Sequence, residues 1–164
     1  MAKGSNVTLP DSPVNTAPNQ AQRNGAGAVP WYCLAVILIL LDQYTKGLAS
    51  EHLSYGRPQQ VFSWFNLTLA HNTGAAFSFL DDAGGWQRYF FTAVASVISL
   101  GLIVWLFLLP RNQKLLALSL ALILSGALGN LWDRVTLGYV VDFLSVHYQQ
   151  RYFPAFNVAD SAIS

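Results

Sequence analysis

Two aspartates near the C-terminal end of the chain are candidates for acid–base chemistry. Asp142 has two apolar residues on each side, and Asp160 lies in the apolar stretch from Phe156 to Ile163, which is typical of the start of a helix. Carboxylates are costly to bury in apolar surroundings, but two that share a proton can divide the chemistry. One acts as a general base toward water while the other, protonated, polarises a carbonyl. Sequence spacing does not fix their distance, so two unrelated carboxylates, each solvated or capped, are the alternative.

The surroundings of the two aspartates predict which of them holds the proton. Asp160 lies in the first turns of the predicted helix, where the helix dipole favours a negative charge, and Asn157 lies one turn earlier as a potential donor to it. Asp142 has only apolar neighbours, so desolvation favours its neutral form. We therefore predict that Asp160 is the carboxylate and that Asp142 is the acid.

Other polar residues recur at helical spacing. Asn130 and Arg134 lie four apart on the face that also carries Gly126, and Asp42 and Lys46 lie four apart in an earlier segment. The first pair either caps its helix near lipid headgroups or lines a site. The second pair is either a simple intrahelical ion pair or part of a site. Ionisable groups within membrane segments are rare and usually functional, which favours the site.

The composition of the chain indicates a membrane protein. Of its 164 residues, 53% are hydrophobic and 10% are charged, compared with about 25% charged in an average soluble domain. This argues against a disordered chain, a nucleic-acid-binding protein and an ordinary cytosolic enzyme. The net charge is +1, and the single cysteine, Cys33, excludes an internal disulfide and a zinc site of several cysteines.

Three apolar blocks account for this composition. They are Trp31–Leu41, with a weaker helical pattern that continues to Ala49, then Trp86–Leu109 and Leu115–Trp132. About 20 helical residues cross a bilayer core, so each block is predicted to be a transmembrane helix. The first block also has the length of a signal-peptide core, but Asp42 and Lys46 interrupt the place where a cleavage site should follow. We therefore favour a retained helix.

A stripe of small residues recurs every four positions along the third block. It consists of Ala117, Ala121, Ser125 and Gly129. Small side chains let helix backbones approach closely in a membrane, so we interpret this stripe as a packing surface.

The basic residues predict the orientation of the helices. They lie before the first block, at Lys3 and Arg23, and between the second and third blocks, at Arg111 and Lys114. Because positive residues favour the cytoplasmic side, the N-terminus is predicted to be cytoplasmic, with Ser50–Gly85 and the segment from Asp133 onward outside. The polar residues 1–29 are predicted to be a disordered N-terminal extension.

The first outer segment contains a strand pattern. Between Val61 and Ala70, aromatic and β-branched residues are frequent, as in strands. In this segment Phe62, Trp64, Asn66, Thr68 and Ala70 alternate with Val61, Ser63, Phe65, Leu67 and Leu69. Asn72–Gly74 is typical of a turn, and Asp81–Gly85 of a loop in which Asp82 can cap the second helix. We therefore predict a mainly α-helical membrane protein: a transmembrane bundle of three complete helices and the start of a fourth, with a small periplasmic β-sheet and loop.

Five short motifs carry a family resemblance. In chain order they are Asp42–Lys46, Asn72–Ser78, Gly126–Arg134, Val140–Phe143 and Phe156–Ala162. This ordered set resembles signal peptidase II of the Gram-negative type, the bacterial lipoprotein signal peptidase family (aspartic peptidase family A8). The resemblance implies an aspartic endopeptidase of the inner membrane with its active site near the periplasmic face. Such an enzyme removes the signal peptide from prolipoproteins by cutting before a cysteine that carries diacylglyceryl.

The resemblance also assigns roles to single residues. It makes Asp142 and Asp160 the catalytic pair, and it places Gly74 in the turn of a periplasmic loop that closes over the substrate. The positions that line or support the site are Asn72, Asn130, Arg134 and Asn157, and the structural motif positions are Asp42, Lys46 and Asp133. No metal and no organic cofactor are implied. The implied partners are prolipoprotein substrates, membrane lipid and the cyclic peptide inhibitor globomycin, with a monomeric enzyme and no nucleic acid.

The chain departs from the family pattern at both ends. Members have four transmembrane helices, whereas this sequence stops about one turn after Asp160. We therefore expect a membrane peptidase domain over residues 30–164 that is truncated at its C-terminus. The extension over residues 1–29 matches no family motif.

Two other classes of function fit the same residues. A small proton-coupled transporter would use the intramembrane aspartates as a relay, and a non-catalytic membrane scaffold would not need them ionised at all. The predicted clustering of the acids near one membrane face, instead of at the midplane, argues against a transporter.

Overall fold

The computed structural model describes residues 27–74 and 86–164, with the backbone only for Gln87. These ranges contain, in chain order, α1 (Val29–His52), β1 (Gln59–Phe62), β2 (Phe65–Asn72), α2 (Trp86–Leu108), α3 (Lys114–Thr136), β3 (Val140–Tyr148), β4 (Arg151–Tyr152) and α4 (Val158–Ile163). The predicted disordered extension, up to residue 26, and the predicted loop Asp81–Gly85 with its capping residue Asp82 lie outside the described residues.

The three long helices confirm the predicted transmembrane segments. α1, α2 and α3 are each long and apolar enough to cross a membrane. α1 begins at Val29, two residues before the predicted block, and Pro30 fits this first turn because its missing N–H would have no intrahelical partner there. The chain is therefore a multi-pass membrane protein with a mainly helical fold.

α3 forms the centre of the bundle and packs against α1, α2 and α4. The core between the helices consists of small and branched residues: Ala28, Ala35, Leu102, Leu106, Ala117, Leu120 and Leu124. All four residues of the predicted small-residue stripe of α3 are buried. The interpretation of that stripe as a packing surface is confirmed.

Two glycines of α3 allow close contact with the neighbouring helices α4 and α1. A Cβ atom added at Gly126 would lie 2.4 Å from the carbonyl oxygen of Ala159 in α4. A Cβ atom added at Gly129 would lie 2.8 Å from Oδ2 of Asp42 in α1. Only glycine fits at these two positions without a shift of the neighbouring helix or side chain.

The four strands form one antiparallel sheet in the order β1–β2–β3–β4. It contacts the bundle where α1 and α3 end, which we call the sheet end of the bundle. β3 lies between β2 and β4, and its first four residues, Val140 to Phe143, are buried. The sequence predicts no strand there, because a run that is buried on both faces lacks the alternation of polar and apolar residues.

The predicted small antiparallel sheet is confirmed, but the strand pattern between Val61 and Ala70 does not reveal that this segment contains parts of two strands. The chain turns at Ser63 and Trp64 and returns as β2, so that Phe62 pairs with Phe65. The turn has no glycine, asparagine or aspartate, the residues that favour two-residue hairpin turns, and the sequence therefore gives no sign of it. The rings of Phe62 and Trp64 stack across the turn with their centroids 5.8 Å apart.

Candidate active site

The structure brings Asp142 and Asp160 together at the sheet end of the bundle. Asp142 lies on β3 opposite Ala70 of β2, with 3% of its surface exposed. Asp160 lies in the first turn of α4, as predicted. Both carboxylates accept hydrogen bonds from Asn157, which is the N-cap of α4. The alternative of two unrelated carboxylates is therefore wrong.

Asn157 joins the two carboxylates through its side chain and its backbone. Its Nδ2 donates to Oδ1 of Asp142 at 2.8 Å, and its backbone N–H donates to Oδ2 of Asp160 at 3.2 Å. Its Oδ1 accepts from the backbone N–H of Asp160 at 2.9 Å, which closes a capping box. Asn157 is fully buried, so one residue both starts α4 and fixes Asp142 relative to Asp160.

Two further asparagines complete the hydrogen bonding of the pair. Nδ2 of Asn130 in α3 donates to Oδ1 of Asp160 at 2.8 Å. Nδ2 of Asn72, at the end of β2, donates to Oδ2 of Asp142 at 3.1 Å. Each of the four carboxylate oxygens therefore has a donor, and the two donors from α3 and β2 come from elements distant in the sequence.

The predicted distribution of donors needs a correction. From the sequence, the side chain of Asn157 is expected to donate a hydrogen bond to Asp160, but in the structure it donates to Asp142. Asp142, for which the sequence shows no local donor, accepts from Asn72 as well, because β2 pairs with β3 and delivers a residue 70 positions away. The sequence alone does not show that β2 pairs with β3, so it could not predict Asn72 as a donor to Asp142.

The carboxyl group of Asp142 holds its proton to higher pH than an exposed aspartate does. Burial, and next the negative charge of Asp160, raise the pKa of Asp142 from its usual 3.8 to about 6. The hydrogen bonds from Asn72 and Asn157 and the positive charge of Lys46 act in the opposite direction. Desolvation outweighs these donors, which supports the prediction that Asp142 is the member of the pair that holds the proton.

The predicted turn at Asn72–Gly74 is confirmed, and it orients a site residue. The backbone N–H of Gly74 donates to Oδ1 of Asn72 at 2.8 Å, so Nδ2 of Asn72 points toward Asp142. Gly74 has a φ of +92°, and a Cβ atom there would lie 2.6 Å from the ring of Phe91 in α2. Glycine is therefore required at this position both by the backbone conformation and by the available space.

A buried cluster, which we call the lysine cluster, consists of Asp42, Lys46 and Asp133. Nζ of Lys46 lies 2.7 Å from Oδ2 of Asp42 and 2.9 Å from Oδ2 of Asp133, and all three side chains are at most 3% exposed. Nζ also donates to Oδ1 of Asn130 at 3.0 Å. The predicted ion pair within α1 is present, and it is also joined to the candidate site, so both interpretations of Asp42 and Lys46 describe part of the arrangement.

Gln43, whose role the sequence alone does not predict, also belongs to this buried region. Its Nε2 donates to Oδ1 of Asp133 at 2.9 Å, to the carbonyl of Gly129 at 3.2 Å and to Oδ2 of Asp42 at 3.3 Å. The only signal in the sequence is its position between Asp42 and Lys46 in a segment that is otherwise apolar, because a polar residue there needs a buried partner.

Arg134 lies beside the pair without an ion pair to either carboxylate among the residues that the structure describes. Its Nη1 donates to the carbonyl of Asn130 at 3.3 Å, and its guanidinium lies over the ring of Phe91, 5.8 Å from the centroid. Its Nε is buried without a hydrogen-bond partner in that part of the chain. Arg88 of α2 instead binds the last carbonyls of α3, which include that of Arg134, at 3.0 Å.

The arrangement defines a class of protein. Two carboxylates that are bridged by one asparagine, at the end of three helices long enough to span a membrane, are the arrangement expected in a membrane-embedded enzyme of the aspartic type. Within residues 27–74 and 86–164, no group of three or more histidine, cysteine, aspartate or glutamate side chains is arranged to hold a metal ion.

Known proteins identify the family. The family model for signal peptidase (SPase) II matches residues 34–164. The lipoprotein signal peptidase of Acinetobacter baumannii is 58% identical over 134 residues, which cover 82% of this chain and 76% of that protein. The lipoprotein signal peptidase of Pseudomonas aeruginosa is 52% identical over 140 residues, which cover 84% and 83% of the two chains. The chain therefore belongs to the signal peptidase II family and is an aspartic peptidase.

Solved structures agree with this family membership. A bacterial membrane enzyme solved by the in meso method at 1.9 Å resolution is 30% identical and superimposes with a TM-score of 0.70 over 82% of this chain and 84% of that chain. A second structure of a bacterial membrane enzyme, at 2.3 Å resolution, gives a TM-score of 0.71. The alternatives of a transporter and of a scaffold have no support from these relatives.

Proposed function

We propose that the chain removes the signal peptide from diacylglyceryl-modified prolipoproteins, and that Asp142 and Asp160 are its catalytic pair. The observation that carries this proposal is the double contact of Asn157, whose side chain and backbone hold the two carboxylates at 2.8 and 3.2 Å. The names of the relatives, lipoprotein signal peptidase, support the substrate class. Cleavage takes place directly before the lipidated cysteine.

The chemistry follows from the different surroundings of the two carboxylates. Asp160, which is partly exposed and lies at the N-terminus of α4, takes a proton from a water molecule as it attacks the scissile carbonyl carbon. Asp142, whose pKa burial raises to about 6, donates its proton to the carbonyl oxygen when it is in its protonated form. When the tetrahedral intermediate collapses, Asp160 returns its proton to the leaving amine and Asp142 recovers its own. Neither residue gains or loses a proton over the full cycle.

The neighbouring residues have supporting roles in this proposal. Asn72, Asn130 and Asn157 orient the carboxylates, and Gly74 orients Asn72. Arg134, whose guanidinium lies beside the pair, contacts backbone carbonyls of the bound substrate. Charge and hydrogen-bond donors at this position stabilise negative charge that develops on the substrate during attack.

The membrane location of the site suits a lipidated substrate. The signal peptide is itself an apolar helix, which enters sideways from the bilayer between the helices, while the lipid chains of the modified cysteine stay in the bilayer. We place the chain in the inner membrane of a Gram-negative bacterium with its N-terminus in the cytoplasm, so the site lies at the periplasmic face. The enzyme acts as a monomer without metal or organic cofactor, and globomycin competes with the substrate.

Cleavage of a defined substrate tests this function. The purified chain in detergent is incubated with a diacylglyceryl-modified prolipoprotein, with and without globomycin, and the product is resolved by gel electrophoresis. We expect globomycin-sensitive cleavage before the modified cysteine and no cleavage of the same prolipoprotein without its lipid. Asp142→Asn and Asp160→Asn are the matched controls, since each is nearly isosteric. Undiminished cleavage in either variant would contradict the assignment of the catalytic pair.

A further inference from the structure

We propose that the lysine cluster of Asp42, Lys46 and Asp133 sets the separation of Asp142 and Asp160 by holding the backbone amide that precedes each of them. This positioning role rests on the proposed function of the two aspartates as a catalytic pair. The three residues do not touch the carboxylates directly, so they act through the backbone of β3 and α4.

Each acidic residue of the cluster binds one backbone amide at the site. Oδ1 of Asp42 accepts from the backbone N–H of Ala159 at 2.9 Å, and Ala159 directly precedes Asp160. Oδ2 of Asp133 accepts from the backbone N–H of Val141 at 3.1 Å, and Val141 directly precedes Asp142.

Lys46 connects these two anchors. Its ammonium group contacts Oδ2 of Asp42 at 2.7 Å and Oδ2 of Asp133 at 2.9 Å. Its remaining donor is used by Oδ1 of Asn130 at 3.0 Å, and Asn130 donates to Asp160. A single cation therefore lies between the two backbone anchors and makes the position of one depend on the position of the other.

Burial of three charged side chains costs free energy, which indicates that the lysine cluster does more than hold the helices together. Its three charged side chains are 1%, 3% and 2% exposed and carry a net charge of −1. Buried ion pairs are often no more stabilising than apolar residues of the same volume, and their best-attested benefit is a fixed geometry. Gly129 leaves the space that Asp42 needs, since a Cβ atom there would lie 2.8 Å from its Oδ2.

A fixed separation has a measurable consequence for a pair of carboxylates. The closer two carboxylates are held, the more the ionisation of one opposes that of the other, and the further apart the two apparent ionisations of the pair become. If one amide anchor is released, the pair can spread, and the acidic and basic limbs of the pH profile should move toward each other. In the part of the chain that the structure describes, the charged groups that act on the pair are Lys46 of α1 and Arg134 of α3, and Asp133 acts in turn on Arg134.

Charge changes alone produce a different result. Removal of the negative charge of Asp133 leaves Lys46 less neutralised, and this favours the ionised forms of both members of the pair. Both limbs of the pH profile then move to lower pH together, with their spacing unchanged. A narrower spacing therefore reports the geometry of the pair, whereas a common displacement reports only the local charge.

The test compares pH profiles of kcat/KM for the full chain in detergent with a diacylglyceryl-modified prolipoprotein. In Asp42→Ala and Asp133→Ala, which remove the oxygen that accepts from the backbone amide, we expect the spacing of the two limbs to narrow by about one pH unit. We also expect kcat to fall about tenfold or more, with KM nearly unchanged. Gln43→Leu is the matched control, because Gln43 binds the same carboxylates without contact to either amide. Its profile should keep the wild-type spacing.

Three outcomes would overturn the proposal: wild-type spacing in both alanine variants, a common displacement of both limbs without narrowing, or equal narrowing in Gln43→Leu. If Asp133→Ala fails to fold, Asp133→Glu carries the same test, since it keeps the charge and displaces the carboxylate from Val141. Infrared titration of the carboxyl groups measures the same spacing without substrate. A chain that does not cleave prolipoprotein but shows the narrowing would contradict the proposed function and not the positioning role.

Discussion

A single methyl group at Gly126 should displace the α4 end of the catalytic site. In Gly126→Ala the new Cβ atom would lie 2.4 Å from the carbonyl oxygen of Ala159 and 2.4 Å from Cγ1 of Ile163. The side chain of Ile163 can rotate away, but the carbonyl of Ala159 is backbone and moves only with α4. Asp160 follows Ala159 directly, so any displacement of α4 moves Asp160 relative to Asp142.

The size of the effect follows from these contacts. Ordinary van der Waals contact for a Cβ atom begins at 3.4 Å, so α4 must move by about 1 Å from α3 to accommodate the alanine. A misplacement of about 1 Å at a catalytic group can cost about 100-fold in rate. We therefore expect kcat of Gly126→Ala to fall about 100-fold, while the apolar core between α1, α2 and α3 keeps the protein folded.

The assay measures cleavage of a diacylglyceryl-modified prolipoprotein together with thermal unfolding in detergent. Gly101→Ala in α2 and Gly47→Ala in α1 are matched controls, since a Cβ atom at either position would meet no atom of the other described residues within 4 Å outside its own helix turn. Both controls should cleave at the wild-type rate. Cleavage by folded Gly126→Ala within twofold of the wild type would refute the reasoning that α4 position controls the site.

Three further predictions concern the pair and the membrane topology. Asp142→Asn and Asp160→Asn should each lower the cleavage rate about 100-fold to 10,000-fold with the fold retained, which gel assays and thermal unfolding check together. Because the pKa of Asp142 is raised to about 6 in the folded chain, the folded state loses stability as pH rises from about 4 to 6. Above pH 6, Asp142→Asn should be more stable than the wild type by up to about 3 kcal/mol, and an equal pH dependence of both melting curves would contradict this. In a Cys33→Ala background, Ser54→Cys should react with an impermeant thiol reagent in intact cells and Asn112→Cys should not; the reverse pattern would overturn the orientation.

The helices were predictable because composition alone determines them. An apolar block of sufficient length has few alternatives to a transmembrane helix, and α2 differs from the predicted block by one residue at its end. The small-residue stripe of α3 was also enough to predict a packing surface, because close helix packing in a membrane needs small side chains. The stripe does not reveal its partner: its last residue, Gly129, lies against Asp42 of α1, whereas Gly126, which is outside the stripe, lies against α4.

The sheet was less predictable because its signals are weak or non-local. The turn at Ser63 and Trp64 contains no residue that favours a turn, and a strand that is buried on both faces, such as β3, has no alternation to detect. Antiparallel pairing of β2 with β3 joins residues from either side of two transmembrane helices. That pairing brings Asn72 to Asp142, and no local pattern in the sequence predicts it.

The polar residues of the site also explain how the sheet end of the bundle is held together. Lipid is as apolar as leucine, so helices in a membrane gain little from burial of apolar surface and more from close packing and buried hydrogen bonds. Between α1 and α3 these bonds involve Lys46, Asp42 and Asp133, and they continue through Asn130 to α4. Farther from the sheet the buried core between the helices consists of alanine and leucine, with partly buried apolar residues packed against it. The contacts that associate the helices at the sheet end are therefore the same contacts that position the two carboxylates. This explains why conservative changes there should alter the pH profile, whereas changes in the alanine and leucine core should alter stability alone.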